Sequence, residues 1–341
     1  MTGERTAFVF PGQGSQFPGM GRDLRPFGPE GEEVVARAEE VTELPVARLM
    51  ATADARQLAD PEVAQVLVFT WSAAALAHLR ARGRHPAYVA GHSLGEFTAL
   101  YAAGSLGLDT ALGLVSCRGR AMRAAARRSQ GSMAAVVGLP VDLVRGLCRL
   151  ASDDTGLVMV ANANSARQTV VSGTTGAVRH VIEQAREAGA LRARELPVGG
   201  AYHSPLMAWA LPALAAKLAT VPLDTPGVPL VSSTTGLPVD DIDEYRDELL
   251  WQMLRPVQWQ RTVATLRTLG VGLFIEAGPG RVLTGLGRET ARGARHLGVH
   301  DALRENADVR AAVAHGSAPP PYTPGAPTPG VPGTAAVKES P

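Results

Sequence analysis

The sequence predicts an α/β protein in which a small subdomain is inserted into a larger body. Three observations carry this. A short apolar run, residues 87–90, leads into Gly91-His92-Ser93-Leu94-Gly95, and residues 96–103 then continue without Pro or Gly, placing Leu94, Phe97 and Tyr101 on one helical face. G-x-S-x-G between a strand and a helix is the context of a nucleophile elbow, a sharp turn that presents a serine hydroxyl at the end of a sheet. Between Gly131 and Gly199 the order of apolar runs becomes β-α-β-β-α-β, the split βαβ pattern of a ferredoxin-like fold. The expected organisation is a catalytic body from residues 1–130 and 199–305, a ferredoxin-like insertion at 131–198, and a Pro/Gly-rich disordered tail or linker at 306–341.

Each element has a local reason. Residues 6–10 (TAFVF) form a β-rich run that breaks at Pro11-Gly12-Gln13-Gly14-Ser15-Gln16. A strand ending in such a loop exposes backbone N–H groups, so the loop reads equally as an anion or oxyanion site and as a simple turn. Residues 31–79 are mostly helical in pattern, the elbow follows, and a second helix runs over about 108–128. In the insertion, strands are expected at 133–139, 157–161, 169–172 and 194–198, with helices at 141–151 and 176–189. The body resumes at Ala201-Tyr202-His203-Ser204-Pro205, with a helix at 206–218, a strand at 228–232, a helix at 248–255 closed by Pro256, and a last strand at 273–276.

Composition excludes several classes of function. With 341 residues, 45% apolar and 19% charged, the chain can bury a sizeable core, and a net charge of +1 lacks the basic excess of a general nucleic-acid binder. Cys117 and Cys148 are far apart and near no histidine pair, so neither a disulfide framework nor a metal site is indicated. No window is expected to reach the ~20 apolar residues of a membrane span. The apolar run that follows Met1-Thr2-Gly3-Glu4-Arg5 is too short for a signal h-region, and a cytoplasmic setting is expected.

A serine elbow needs a base, because a hydroxyl is a weak nucleophile until its proton is accepted. Of eight histidines, His78 and His180 lie mid-helix and His315 adjoins the tail, which reads as surface. His92 should point away from the Ser93 hydroxyl and make a supporting hydrogen bond. His203, at a strand-to-helix junction far downstream of the serine, is the expected base. No Asp or Glu stands out as its orienting partner; a backbone or amide carbonyl can serve, since only an acceptor for the other ring N–H is required.

FVFPGQGSQ, GHSLGEFTAL, Arg118 in VSCRGRAM, VANANS, AYHSPLM and EAGPGRVLTGL occur in this order, and together they closely resemble malonyl-CoA:acyl-carrier-protein transacylases and the acyltransferase domains of polyketide synthases. The resemblance implies an α/β-hydrolase-like large subdomain with the ferredoxin-like insertion, the site lying between them. It implies that Ser93 is acylated and that His203 is its base. The backbone N–H groups of Gln13 and Leu94 would form the oxyanion hole, the Gln252 carbonyl would orient His203, and Arg118 would bind the carboxylate of a dicarboxylic acyl group. The implied reaction moves a malonyl group from malonyl-CoA to the phosphopantetheine thiol of an acyl carrier protein. No cofactor, nucleic acid or membrane is expected to take part, and a monomer is expected. Alternatives are a substituted malonyl unit as substrate and a proofreading thioester hydrolase. Tyr202 stands where malonyl-selective members carry Phe and methylmalonyl-selective ones Ser, so malonyl is expected to be preferred, whereas Gly200 is expected to open space nearby. Two arginine clusters, Arg120, Arg123, Arg127 and Arg128, and Arg281, Arg288, Arg292 and Arg295, read either as solvated faces or as docking surfaces for an acidic carrier protein.

Overall fold

The computed structural model describes residues 4–152 and 156–305. The tail, the rest of its predicted 306–341 segment and His315 lie outside the described residues. Among the described residues nine strands make two sheets. β1 (Arg5–Phe10), β2 (Tyr88–Gly91), β7 (Leu230–Val231), β8 (Val271–Glu276) and β9 (Arg295–Gly298) form a sheet in the order β7-β2-β1-β8-β9. All its pairings are parallel, with Phe10 opposite Gly91 and Val9 opposite Glu276. The chain therefore leaves β1, β2, β7 and β8 at one edge, which is where an open parallel sheet gathers its functional loops.

β3 (Gly131–Val137), β4 (Val158–Ser165), β5 (Gln168–Thr174) and β6 (Arg192–Glu195) form an antiparallel sheet in the order β4-β5-β3-β6. With the helices Val141–Ala151 and Thr175–Glu187 this is the predicted βαββαβ unit. Val178, Val181, Ile182 and Ala185 recur at helical spacing and pack with Val144, Val136 and Val171 in one core. Burying each such valine or isoleucine contributes up to about 1.5–3 kcal/mol, enough to hold a helix too short to stand alone.

Four expectations need correction. Val271–Glu276 is not the last strand: β9 adds to the sheet edge beside it, pairing Phe274 with His296. Its four residues, RHLG, lack the apolar run that announces a strand, and only pairing with β8 makes them one. The helix at 248–255 begins earlier, as Ile242–Trp251, because the Asp241 carboxylate accepts hydrogen bonds from the Asp243 and Glu244 N–H groups at 2.8 and 3.1 Å and caps it. One helix, Pro61–Ala81, does reach the length and apolarity of a membrane span, yet 89% of that stretch is buried inside the fold. It is wrapped on all sides, so His78 is not at the surface: it is 2% exposed, and its Nδ1 lies 2.9 Å from the Phe27 carbonyl.

Candidate active site

The elbow forms at the C-terminal end of β2. Its two glycines are dictated by contact: a Cβ on Gly91 would lie 1.9 Å from the Gly95 carbonyl carbon, and one on Gly95 2.1 Å from the Phe10 oxygen. Helix Gly95–Ala103 can therefore start directly against β1 and β2. Ser93 sits at φ 53° and His203 at φ 57°, two of three non-glycine residues with positive φ among those described. Each such backbone costs of order 1–3 kcal/mol and persists only where surrounding structure fixes it.

The structure brings the predicted pair together. The Ser93 hydroxyl and His203 Nε2 are 2.7 Å apart. His203 Nδ1 lies 2.9 Å from the Gln252 backbone carbonyl and 3.0 Å from that of Arg255. Carbonyls only accept, so Nδ1 carries the proton and Nε2 is free to accept from serine. Burial, and next the positive charge of Arg118, pull the imidazole down to about 3. His203 is thus neutral in the resting site. The orienting carbonyl belongs to the Gln252 backbone, in the short turn Gln252–Leu254, and the Gln252 side chain does something else.

Arg118, on the helix Leu108–Arg128, is 1% exposed. Its Nη2 donates to Gln252 Oε1 at 2.9 Å and to Ser93 Oγ at 3.3 Å. No carboxylate forms an ion pair with it among the described residues, and its Nε is buried without a hydrogen-bond partner. Burial lowers it to about 10, and a guanidinium stays charged there. A buried cation beside a nucleophile, with no ion-pair partner among the described residues, can receive an anionic group.

A cleft of about 510 Å³ opens over these groups, lined by the Pro11–Gln16 loop, Ser93, Arg118, Tyr202 and His203 from the body and by Asn162, Asn164 and Arg194 from the small sheet. Gln13 is at its wall, and Leu94, 0% exposed, begins the helix behind Ser93. His92 makes the expected supporting bond: its Nε2 donates to Asn164 Oδ1 at 2.9 Å, tying the elbow to β4. Tyr202 is 5% exposed, and burial pushes its hydroxyl up to about 12. Gly200 does not open the cleft. It lies against the helix behind, where a Cβ would come 2.7 Å from Ala126 Cβ, so the space a side chain would need is already filled. Among the described residues no cluster of three or more His, Cys, Asp and Glu side chains is placed to hold a metal ion.

Comparison with known proteins fits this geometry. The acyl transferase domain model matches residues 7–314. The chain belongs to that family. The acyltransferase is 35% identical over 297 residues to the malonyl CoA-acyl carrier protein transacylase of Bacillus subtilis, covering 87% of this chain and 94% of the relative. It is 37% identical over 281 residues to that of Escherichia coli K12, covering 82% and 91%. Among solved structures, the malonyl CoA-acyl carrier protein transacylase of Coxiella burnetii superposes with a TM-score of 0.84 at 32% identity, covering 88% of this chain and 97% of that one. A malonyl-transacylase solved in complex with a type II PKS acyl-carrier protein has a TM-score of 0.81 at 32% identity, covering 86% and 94%. Their shared architecture is the two-subdomain α/β fold described above.

Sequence reasoning missed three participants in the acyltransferase site. Ser233, after β7, has its Oγ 3.4 Å from the Ser93 N–H, which donates to it. Arg255 contributes its carbonyl to His203. Glu96 is a buried carboxyl directly behind the elbow, and the available signal was an acid in the first turn of an otherwise apolar helix.

Proposed function

We propose that this acyltransferase moves a malonyl group from malonyl-CoA to the phosphopantetheine thiol of an acyl carrier protein, through an ester on Ser93. The observation that carries the reading is the shared contact at Ser93 Oγ: His203 Nε2 at 2.7 Å on one side and Arg118 Nη2 at 3.3 Å on the other. Base and carboxylate receptor converge on one nucleophile, which suits a dicarboxylic acyl group better than a simple one.

Ser93 Oγ attacks the thioester carbonyl as His203 Nε2 takes its proton, and the Nδ1–H bonds to Gln252 and Arg255 stabilise the imidazolium that forms. The backbone N–H groups of Gln13 and Leu94 hold the tetrahedral oxyanion; losing one such donor typically costs about 10²–10³ in rate. The C–S bond then breaks, and the CoA thiolate leaves with the proton from His203. The carrier thiol enters the same cleft, gives its proton to His203 and reverses these steps. All the reacting groups come from one chain, so a monomer suffices, and the chemistry uses no cofactor. A cytoplasmic setting supplies both thioesters.

Of the two arginine clusters, the first is partly spent on local acids: Arg120 and Arg123 pair with Glu62 and Asp60 at 2.7–3.5 Å. Arg127 and Arg128 remain at the end of that helix, Arg128 stacking over the exposed Trp209 ring at 4.9 Å. In the second cluster Arg281 and Arg295 also pair with acids, Asp301 at 2.8 Å and Glu4 at 3.3 Å, so Arg127 and Arg128 are the better candidates for an acidic carrier. The test of the whole reading is the mass of the intact protein after brief exposure to a panel of acyl-CoAs, with and without holo carrier protein. A malonyl adduct on Ser93 that passes to the carrier is expected. An adduct lost to water at the same rate with and without carrier would make the protein a hydrolase instead.

A further inference from the structure

Glu96 is a buried titratable group that the mechanism above leaves unused. It is 1% exposed and forms no ion pair among the described residues, an expensive state for a carboxylate. Its Oε1 accepts from the Ser233 N–H at 2.6 Å and from the Ser232 hydroxyl at 3.3 Å, and its Oε2 accepts from Gln252 Nε2. Ser232 also meets Glu248. Burial, only partly offset by the Ser233 N–H and reinforced by Glu248, pushes Glu96 up to about 7.

The Gln252 side chain is the hub of the site. Its Nε2 donates to Glu96 Oε2 and, at 3.1 Å, to the Ser93 carbonyl, while its Oε1 accepts from Arg118 Nη2 at 2.9 Å. The two ends of an amide are nearly the same size, so bonding partners alone decide which end points where. A carboxylate and a carbonyl are both acceptors, and together they hold the NH₂ end. The oxygen end is left for the guanidinium. Reversal would set oxygen against two acceptors and NH₂ against a cation.

We propose that Glu96 is a positioning residue: it fixes which end of the Gln252 amide faces Arg118, and through that amide it aims the guanidinium that selects a dicarboxylic acyl group. The proposal rests on the malonyl reading above. It separates two jobs of one residue, since the Gln252 backbone carbonyl serves the base while its side chain serves the carboxylate receptor. Weakening the Glu96 contact therefore acts on acyl choice more than on basicity.

The experiment measures the rate of acyl-enzyme formation from malonyl-CoA and from acetyl-CoA, by intact mass against time, and takes their ratio. Glu96→Gln keeps the shape but replaces the carboxylate, whose oxygens both accept when it is ionised, with an amide that has one acceptor end and one donor end. The ratio is expected to fall about tenfold or more, the worth of a hydrogen bond to a charged group, with the melting temperature little changed. In an Arg118→Ala background the same substitution should leave the ratio unmoved, because the route through Arg118 is already cut. An unchanged ratio in Glu96→Gln, or an equal loss for both acyl-CoAs, overturns the proposal by making Glu96 irrelevant to selection or merely structural. If Glu96→Gln does not fold, Glu96→Asp, which withdraws the carboxylate by one methylene, should lower the ratio in the same direction. A wild-type ratio in Glu96→Asp, or failure of both variants to fold, overturns it as well. A wild-type protein that takes up no malonyl group fails the reading of the reaction instead, and the same data show this before any variant is compared.

Discussion

Arg118→Ala should convert a malonyl-selective site into an unselective one. The guanidinium is 1% exposed, with its Nη2 3.3 Å from the nucleophile, and no protein carboxylate neutralises it within ion-pair distance among the described residues. A malonyl carboxylate entering the cleft would complete a desolvated, charge-assisted pair. Truncating one partner of such a pair costs about 2–5 kcal/mol, because the other charge is left buried. The corresponding loss in kcat/KM for malonyl-CoA is roughly 30- to 5000-fold. Acetyl-CoA, with no carboxylate, loses nothing by the same change. It even gains slightly, since removing the Arg118 charge relieves one of the causes that depress His203. Acylation rates for the two thioesters, measured by intact mass over time, give both numbers. A variant that malonylates within threefold of wild type, or that loses both activities equally, would refute the assignment of Arg118 as the carboxylate receptor.

Ser93→Ala should form no acyl adduct with any acyl-CoA while keeping its melting temperature nearly unchanged, since the hydroxyl is not part of the core; any covalent adduct on that variant sinks the assignment. His203 is held at about 3, below its unfolded value near 6.5, so the unfolded chain binds more protons between those two pH values. Its contribution to stability is full above 6.5 and is lost as pH falls towards 3; denaturant titrations should show a smaller drop from pH 7 to pH 4 in His203→Gln than in wild type. Tyr202→Ser should raise methylmalonyl relative to malonyl acylation by roughly 10–200-fold, the value of one crowded methyl group, in a competition read by the mass of the acyl-enzyme. Reversing charge at Arg127 and Arg128 should raise the KM for carrier protein and leave acylation from CoA intact, and an unchanged KM would place docking elsewhere.

The elbow was legible because its constraints are local. Gly91 and Gly95 are required by backbone contacts within a few residues of Ser93, and the alternation of runs from 131 to 198 reports the pleat and turn of each element directly. Those same local rules, with the ordered motifs, were enough to indicate the two sheets and the Ser93–His203 pair. Other features depended on partners distant in the chain. β9 becomes a strand only by pairing with β8, and His78 is buried only because its helix is enclosed on every side. Nothing in a sequence says that Gly200 abuts Ala126, which is why it looked like an opening and is a close contact. Arg118, taken alone, was one more helix arginine. Gln252, 134 residues further on, receives its Nη2, and Glu96 lies 156 residues before Gln252 on the other side of the same amide. Hydrogen bonds and buried charges are set by distance and direction in space. Local pattern was enough for most of the elements and for the nucleophile, whereas the folded chain alone decided which acceptors hold the base, which buried cation lies beside the serine, and which carboxylate holds the amide between them.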